Sequence, residues 1–172
     1  MEQNTYLSFE SNTDARETLY KWWAGLDETR GDRATLRRCH DTSEVVFNPA
    51  YHQLFRSLIQ IELSNINKES LALVAGVLSH AKTHSEPDSI ARQMASPKQG
   101  DDKARVSGLR FRKLLKIKGE NKDELFSSMI GIVKLLDGNV NIYSLANSLY
   151  WWNNFTKKQW AYDYYERAPN EI

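Results

Sequence analysis

The chain has 172 residues, 41% of them apolar and 26% charged, and a formal net charge of +1. That composition suits one globular domain with a sizeable core, and the near-balance of charge excludes a generally adhesive polycation. One cysteine, Cys39, excludes an internal disulfide and fits a reducing cytoplasm, while Met1 to Glu10 carries no apolar run and nothing approaches the roughly eighteen apolar residues of a membrane span, so neither a secretory signal nor a membrane anchor is expected.

Helical spacing begins early. Ala15, Leu19, Trp22, Trp23 and Leu26 recur at three and four residues, which predicts a helix capped by Asn12 or Thr13 and ending near Gly25. A short basic helix is expected next, from about Asp32 to His40. It carries Arg33, Arg37 and Arg38, with Arg30 just ahead. Arg30, Arg33 and Arg37 stand at i, i+3, i+7 and would align on one face, and the guanidinium fork suits phosphate. A solvated face balanced by Glu28 and Asp32 is the competing account. Pro49 opens a helix whose stripe is Tyr51, Leu54, Phe55, Leu58 and Ile59. Residues 69–82 are apolar on nearly every side, as befits a helix in the middle of a bundle.

From Thr83 to Asp102 the chain turns polar, with Pro87, Pro97 and Gly100 and room for a short helix from Ile90 to Ala95. This stretch is expected to be a hinge or surface connection. The organisation is therefore a single domain, with an N-terminal lobe at about 12–82, a connecting segment at 83–104 and a C-terminal lobe at about 105–166.

The next segment is the most informative. Between Lys103 and Lys118 stand seven bases (Lys103, Arg105, Arg110, Arg112, Lys113, Lys116 and Lys118) and no acid, so the remainder of the chain sums to about −6. Leu109, Phe111, Leu114, Leu115 and Ile117 alternate with the bases at helical spacing, which predicts a folded amphipathic helix at about 107–116. A local anionic partner, phosphate above all, is the expected consequence. Bases whose stems merely cover a core edge are the competing account.

Asn121 and Glu124 stand at capping-box spacing before another apolar run, which Gly138 should stop. Further helices are expected at about 141–153 and from Thr156, with Gln159 as reciprocal cap, to just before Pro169. Lys157 and Lys158 open that last helix, on the wrong end of its dipole for stability. Nine aromatics fall between Tyr143 and Tyr165. Core packing, a subunit interface and a base-stacking platform all remain open for them. Strand signals are almost absent, so the fold class is all-α, a helical bundle of about seven to nine helices.

Signals for catalysis are poor. His80 and His84 have metal-ligand spacing but no evident third ligand, and Cys39 beside His40 lacks a nucleophile's context. Asp101 and Asp102 lack the further carboxylates of a two-metal site, and there is neither a phosphate loop nor a nucleophile elbow. Arg30-Gly31-Asp32 spells an adhesion tripeptide, a coincidence in a cytosolic chain. The expectation is a binding protein, not an enzyme, with no metal and no cofactor.

Val106-Ser107-Gly108-Leu109-Arg110-Phe111-Arg112-Lys113-Leu114-Leu115 resembles the signature of the CasB family, the small subunit of the type I-E CRISPR surveillance complex called Cascade. Trp22-Trp23, the run from Arg33 to Cys39, Pro49-Ala50-Tyr51, the run from Leu71 to Gly76, Leu135-Leu136 and the run from Trp160 to Tyr165 agree in order. The resemblance covers roughly residues 15–166. It implies an all-helical, non-catalytic subunit, present as a pair beside crRNA and other Cascade subunits, that binds the displaced single-stranded DNA and stabilises the R-loop. Arg33, Arg37, Arg38, Arg110, Arg112 and Lys113 match the family's basic surface, to which the residues add Arg30, Arg105, Lys116, Lys157 and Lys158. Gly108 and Ile130-Gly131-Ile132 depart from the family pattern, so a basic contribution from the helix after the signature is not expected. An architectural subunit whose basic faces contact crRNA or neighbouring subunits is the alternative, and an unrelated duplex-binding regulator is a third.

Overall fold

The computed structural model describes residues 6–28, 31–61, 63 and 65–168. Among them stand ten helices, α1 (Thr13–Gly25), α2 (Asp32–Arg37), α3 (Thr42–Val46), α4 (Pro49–Gln60), α5 (Lys68–Leu78), α6 (Ile90–Ala95), α7 (Gly108–Leu115), α8 (Lys122–Leu135), α9 (Ile142–Tyr150) and α10 (Asn154–Arg167). Two short strands, β1 (Thr83–His84) and β2 (Asn139–Val140), pair in parallel. The fold is all-α.

Local chemistry sets most of the helix starts. Asn12, Asp41, Asn48, Asn67, Ser89, Ser107, Asn141 and Asn153 each accept a hydrogen bond from a backbone N–H in the first turn of the helix they precede. Each satisfies a donor that the helix itself cannot. The sequence expectation of a Thr156–Gln159 box is corrected: Asn153 takes the Thr156 N–H at 3.0 Å, and Gln159 Nε2 donates instead to Asp163. Asn121 and Glu124 likewise form no reciprocal cap, because the amide donates to the carboxylate at 3.0 Å. Helix α3 was not expected at all, and α2 and α5 end sooner than their apolar patterns suggested.

The core is centred on α5, where every residue from Ser70 to Leu78 is buried. It packs against α2, α3, α4, α8 and α9. Gly76 allows the closest approach, since a Cβ there would run into the Phe126 ring of α8 and stand 3.0 Å from Val45 of α3. The polar connecting segment is tied down at several points. Ser85 N–H donates to Val140 O, Gln93 Nε2 donates to Ser85 O, and α6 lies along α10. His80 and His84 do not share a helix: α5 stops at Leu78, and His84 Nδ1 accepts the Ile142 N–H at 3.1 Å.

Candidate nucleic-acid interface

Helix α2 splits its arginines between two tasks. Arg33 is only 8% exposed. Its η nitrogens donate to Ala81 O at 2.7 Å, Trp23 O at 2.9 Å, Ser79 O at 3.3 Å and Asp27 Oδ2 at 3.2 Å. Nε lies 2.7 Å from Asp27 Oδ1, out of line for a hydrogen bond. Helices α1 and α5 both finish beside α2, and their last carbonyls lack intrahelical donors, so a buried cation between them meets a ready set of acceptors. Arg33 is therefore corrected from a strand-binding residue to an internal clamp.

Arg37 and Arg38 stay at the surface. Arg37 Nε donates to Ser79 O at 2.7 Å, which anchors the stem and leaves both η nitrogens without a protein partner among the described residues. Desolvation and the neighbouring Arg33 charge hold its pKa below the ordinary arginine value. Arg30 lies outside the described residues.

Helix α7 is fastened at both faces of its apolar side. Ser107 caps it, and Phe111 stacks on Tyr164 of α10 with ring centroids 4.0 Å apart and planes within 7°. Tyr164 OH donates to Val106 O at 2.6 Å. The departure at Gly108 does not prevent the helix, which begins there on a buried glycine. With that side fixed, Arg110, Arg112, Lys113 and Lys116 are left exposed. Arg38, Arg110, Lys113 and Lys116 form no ion pair among the described residues.

Helix α8 meets α3, which follows α2 in the chain, on one side and the α7 segment on another. On one flank Asp123 accepts from Thr42 N and Oγ1 at 3.1 and 3.0 Å, fixing α3; Asn48 Nδ2 donates to Thr35 Oγ1 at 2.9 Å, fixing α2 beside it. On the other flank Ser107, Arg110 and Lys113 of the α7 segment line a groove of ≈ 380 Å³ with Glu124, Ser128 and Ile132 of α8. The strip between them, at helical steps, is Glu124, Ser127, Gly131 and Lys134, of which Gly131 is half-buried and the others exposed. A Cβ on Gly131 would meet open space.

Lys134 belongs to no basic cluster in the sequence. It closes the last turn of α8, where its charge and that of Arg37 both bear on His80. Burial first, then those two cations, depress the His80 pKa to about 4, so the imidazole is neutral near pH 7. A lone lysine after Ile130-Gly131-Ile132 gave no cluster to notice. Its surroundings are set in three dimensions: the segment after α5 is hydrogen-bonded to the segment after α8, Lys82 N–H donating to Gly138 O at 2.8 Å.

The remaining expected bases are dispersed. Arg105 is half-buried, 4.0 Å from Asp137, which also pairs with Lys98 at 3.5 Å. Lys157 Nζ lies 5.5 Å from the centre of the Trp152 ring, whose indole N–H donates to Ile117 O just past α7. Lys158 is exposed on α10. The nine C-terminal aromatics divide: Tyr150, Trp152, Trp160 and Tyr164 are buried, Tyr143 and Tyr165 half-buried, and Trp151, Phe155 and Tyr162 exposed, the last two at 80% and 77%. Among the described residues no group of three His, Cys, Asp or Glu side chains is placed to hold a metal, and no helix is long and apolar enough to cross a membrane.

Comparison with known proteins bears on the family and the fold. The family profile described as CRISPR-associated protein Cse2 matches residues 32–165. A chain from the crystal structure of E. coli Cascade bound to a PAM-containing double-stranded DNA target with a 32-nt spacer has the same fold, with a TM-score of 0.67 and 19% identity over 90% of this chain and 96% of that one. No curated protein matches the sequence.

Proposed function

Because this chain belongs to the Cse2 family of CRISPR-associated proteins, also called CasB, we propose that it is a non-catalytic subunit of a type I-E Cascade complex. Its basic face holds the DNA strand that guide RNA displaces from a target. The observation that carries this reading is that α7 lines a groove along α8 while α3, which follows α2, is hydrogen-bonded to the start of α8, with Arg38 at the end of α2 and Arg110 and Lys113 on α7 forming no ion pair among the described residues. Such a face binds phosphates without reading bases, which is what a displaced strand of arbitrary sequence requires.

The magnitude is adequate. A guide–target heteroduplex is about as stable as the duplex it replaces, so a few kcal/mol on the ejected strand decides whether the loop persists. About four phosphate contacts give a salt slope near −3 on single strands, and a fourfold rise in salt then costs about 50-fold in affinity, or ~2.3 kcal/mol. Binding by the free chain is weak, and tethering in the complex raises its effective concentration. Pairing of two copies in line would double the track. In the assembled complex, Arg110→Glu with Lys113→Glu is expected to leave assembly intact and shorten R-loop lifetime several-fold. Intact assembly with an unchanged lifetime would favour the architectural role, in which these bases contact crRNA or protein. The exposed Phe155 and Tyr162 of α10 offer such a role a separate protein-facing surface.

A further inference from the structure

We propose that the groove between α7 and α8 receives one unstacked base of the bound strand and favours a base that carries an exocyclic amine. The inference rests on the function proposed above and deepens it, since it assigns a seat to a base where that reading uses phosphates alone.

The two walls of the groove differ in chemistry. Its apolar lining includes Leu114, Ile117 and Ile132, which are buried, and Leu109, which is 59% exposed. A leucine left in water at the rim of an apolar recess gains from being covered, and the flat face of a base is a cover that every nucleotide offers. Arg110 and Lys113 share that rim, one turn apart on α7, and form no ion pair among the described residues. They suit the phosphates on either side of a seated base. The α8 wall would repel a phosphate, because Glu124 lies on it together with Ser128. Asn121 Nδ2 donates to Glu124 Oε2 at 3.0 Å, which steadies the carboxylate and leaves Oε1 without a donor among the described residues. Ser128 is half-buried, and its hydroxyl has no hydrogen-bond partner among the described residues. The neighbouring Ser127 Oγ, by contrast, donates back to Asp123 O at 3.1 Å. An acceptor-only carboxylate beside a free hydroxyl matches the pairing edge of cytosine, whose N4 amine donates while N3 accepts. Thymine presents a carbonyl oxygen in place of that amine. The groove volume, ≈ 380 Å³, is within the range of sites that hold small ligands. A strand of mixed sequence brings such a base to the groove in some register, so the seat strengthens phosphate binding without narrowing the targets.

The test uses the full chain with fluorescein-labelled oligodeoxycytidylate and oligothymidylate of equal length. Affinity is followed by anisotropy at about pH 8 and from about 50 to 200 mM salt. The cytosine strand should bind about fivefold tighter. Glu124→Gln should bring the ratio near one, because the amide donates as well as accepts. Leu109→Ala should weaken both strands several-fold and leave the slope of log affinity against log salt unchanged, unlike the loss of a phosphate contact. Arg110→Gln with Lys113→Gln is the control, expected to lower that slope by about 1.4 for either strand. Equal affinity for the two strands, with the control slope lowered, rejects the base seat and leaves the interface standing. A cytosine preference that survives Glu124→Gln also overturns the seat, since the selection then lies elsewhere. An unchanged control slope rejects the interface, and the seat with it. Thermal melting of each variant separates lost contacts from lost folding.

Discussion

Arg33 and Arg37 are one helical turn apart and chemically identical, yet the fold gives them opposite environments. Arg33 lies over the ends of α1 and α5 and answers three main-chain carbonyls, so it is a hydrogen-bonding hub of the core. Arg37 uses only Nε for that purpose and keeps its fork for solvent or ligand. Replacing Arg33 with Ala strands those carbonyls and unpairs Asp27, a loss expected to cost about 2–4 kcal/mol. Lysine should not restore it, since one ammonium cannot reach the same set of acceptors. Urea titration checks this as a lowered midpoint at unchanged m, while the salt slope for single-stranded DNA stays at the wild-type value under folding conditions. The i, i+3, i+7 pattern could not separate these roles. It places side chains on a face, but the burying partners arrive from residues 23 and 79–81, which no local pattern connects.

At the scale of elements, α7 shows how an amphipathic pattern becomes an interface. Its apolar side is held by the Phe111–Tyr164 stack and by the Tyr164 hydroxyl on Val106 O, and this leaves the basic side outward. Tyr164→Phe keeps the stack and leaves the Val106 carbonyl without that donor, an expected loss of about 1–2 kcal/mol visible in the melting temperature. Most of this element was legible in the sequence, because Ser107, the apolar spacing and the absence of acids all point the same way. So were α1, α4 and α6, whose caps and stripes are local. Less legible were α3, which is five residues long, and the true start of α10, where Asn153 competes with Thr156 for the role of cap. The two-residue strands were invisible because their pairing joins residues 83–84 to 139–140, 56 positions apart.

The whole molecule brings together what the sequence holds apart. Helix α5, buried all round, packs on α2, α3 and α8, and α8 in turn meets α3 and lines a groove with the α7 segment. Two basic segments some seventy residues apart are thereby tied to the exposed edge of α8, α2 through α3 and α7 directly. The sequence showed the segments and their charge. It did not show how they lie, because the docking of α8 against α3 and α7 joins residues that no local pattern connects. The central claim is that this edge is the path of an unpaired DNA strand. Photocrosslinking addresses it most directly, with 4-thiothymidine placed along the displaced strand of an R-loop in the assembled complex and the attached peptides mapped by mass spectrometry. Crosslinks to this subunit should fall on α2, on α8 and on α7, and Arg110→Glu with Lys113→Glu should remove those on α7. Crosslinks confined to α10, or to other subunits alone, would contradict the account.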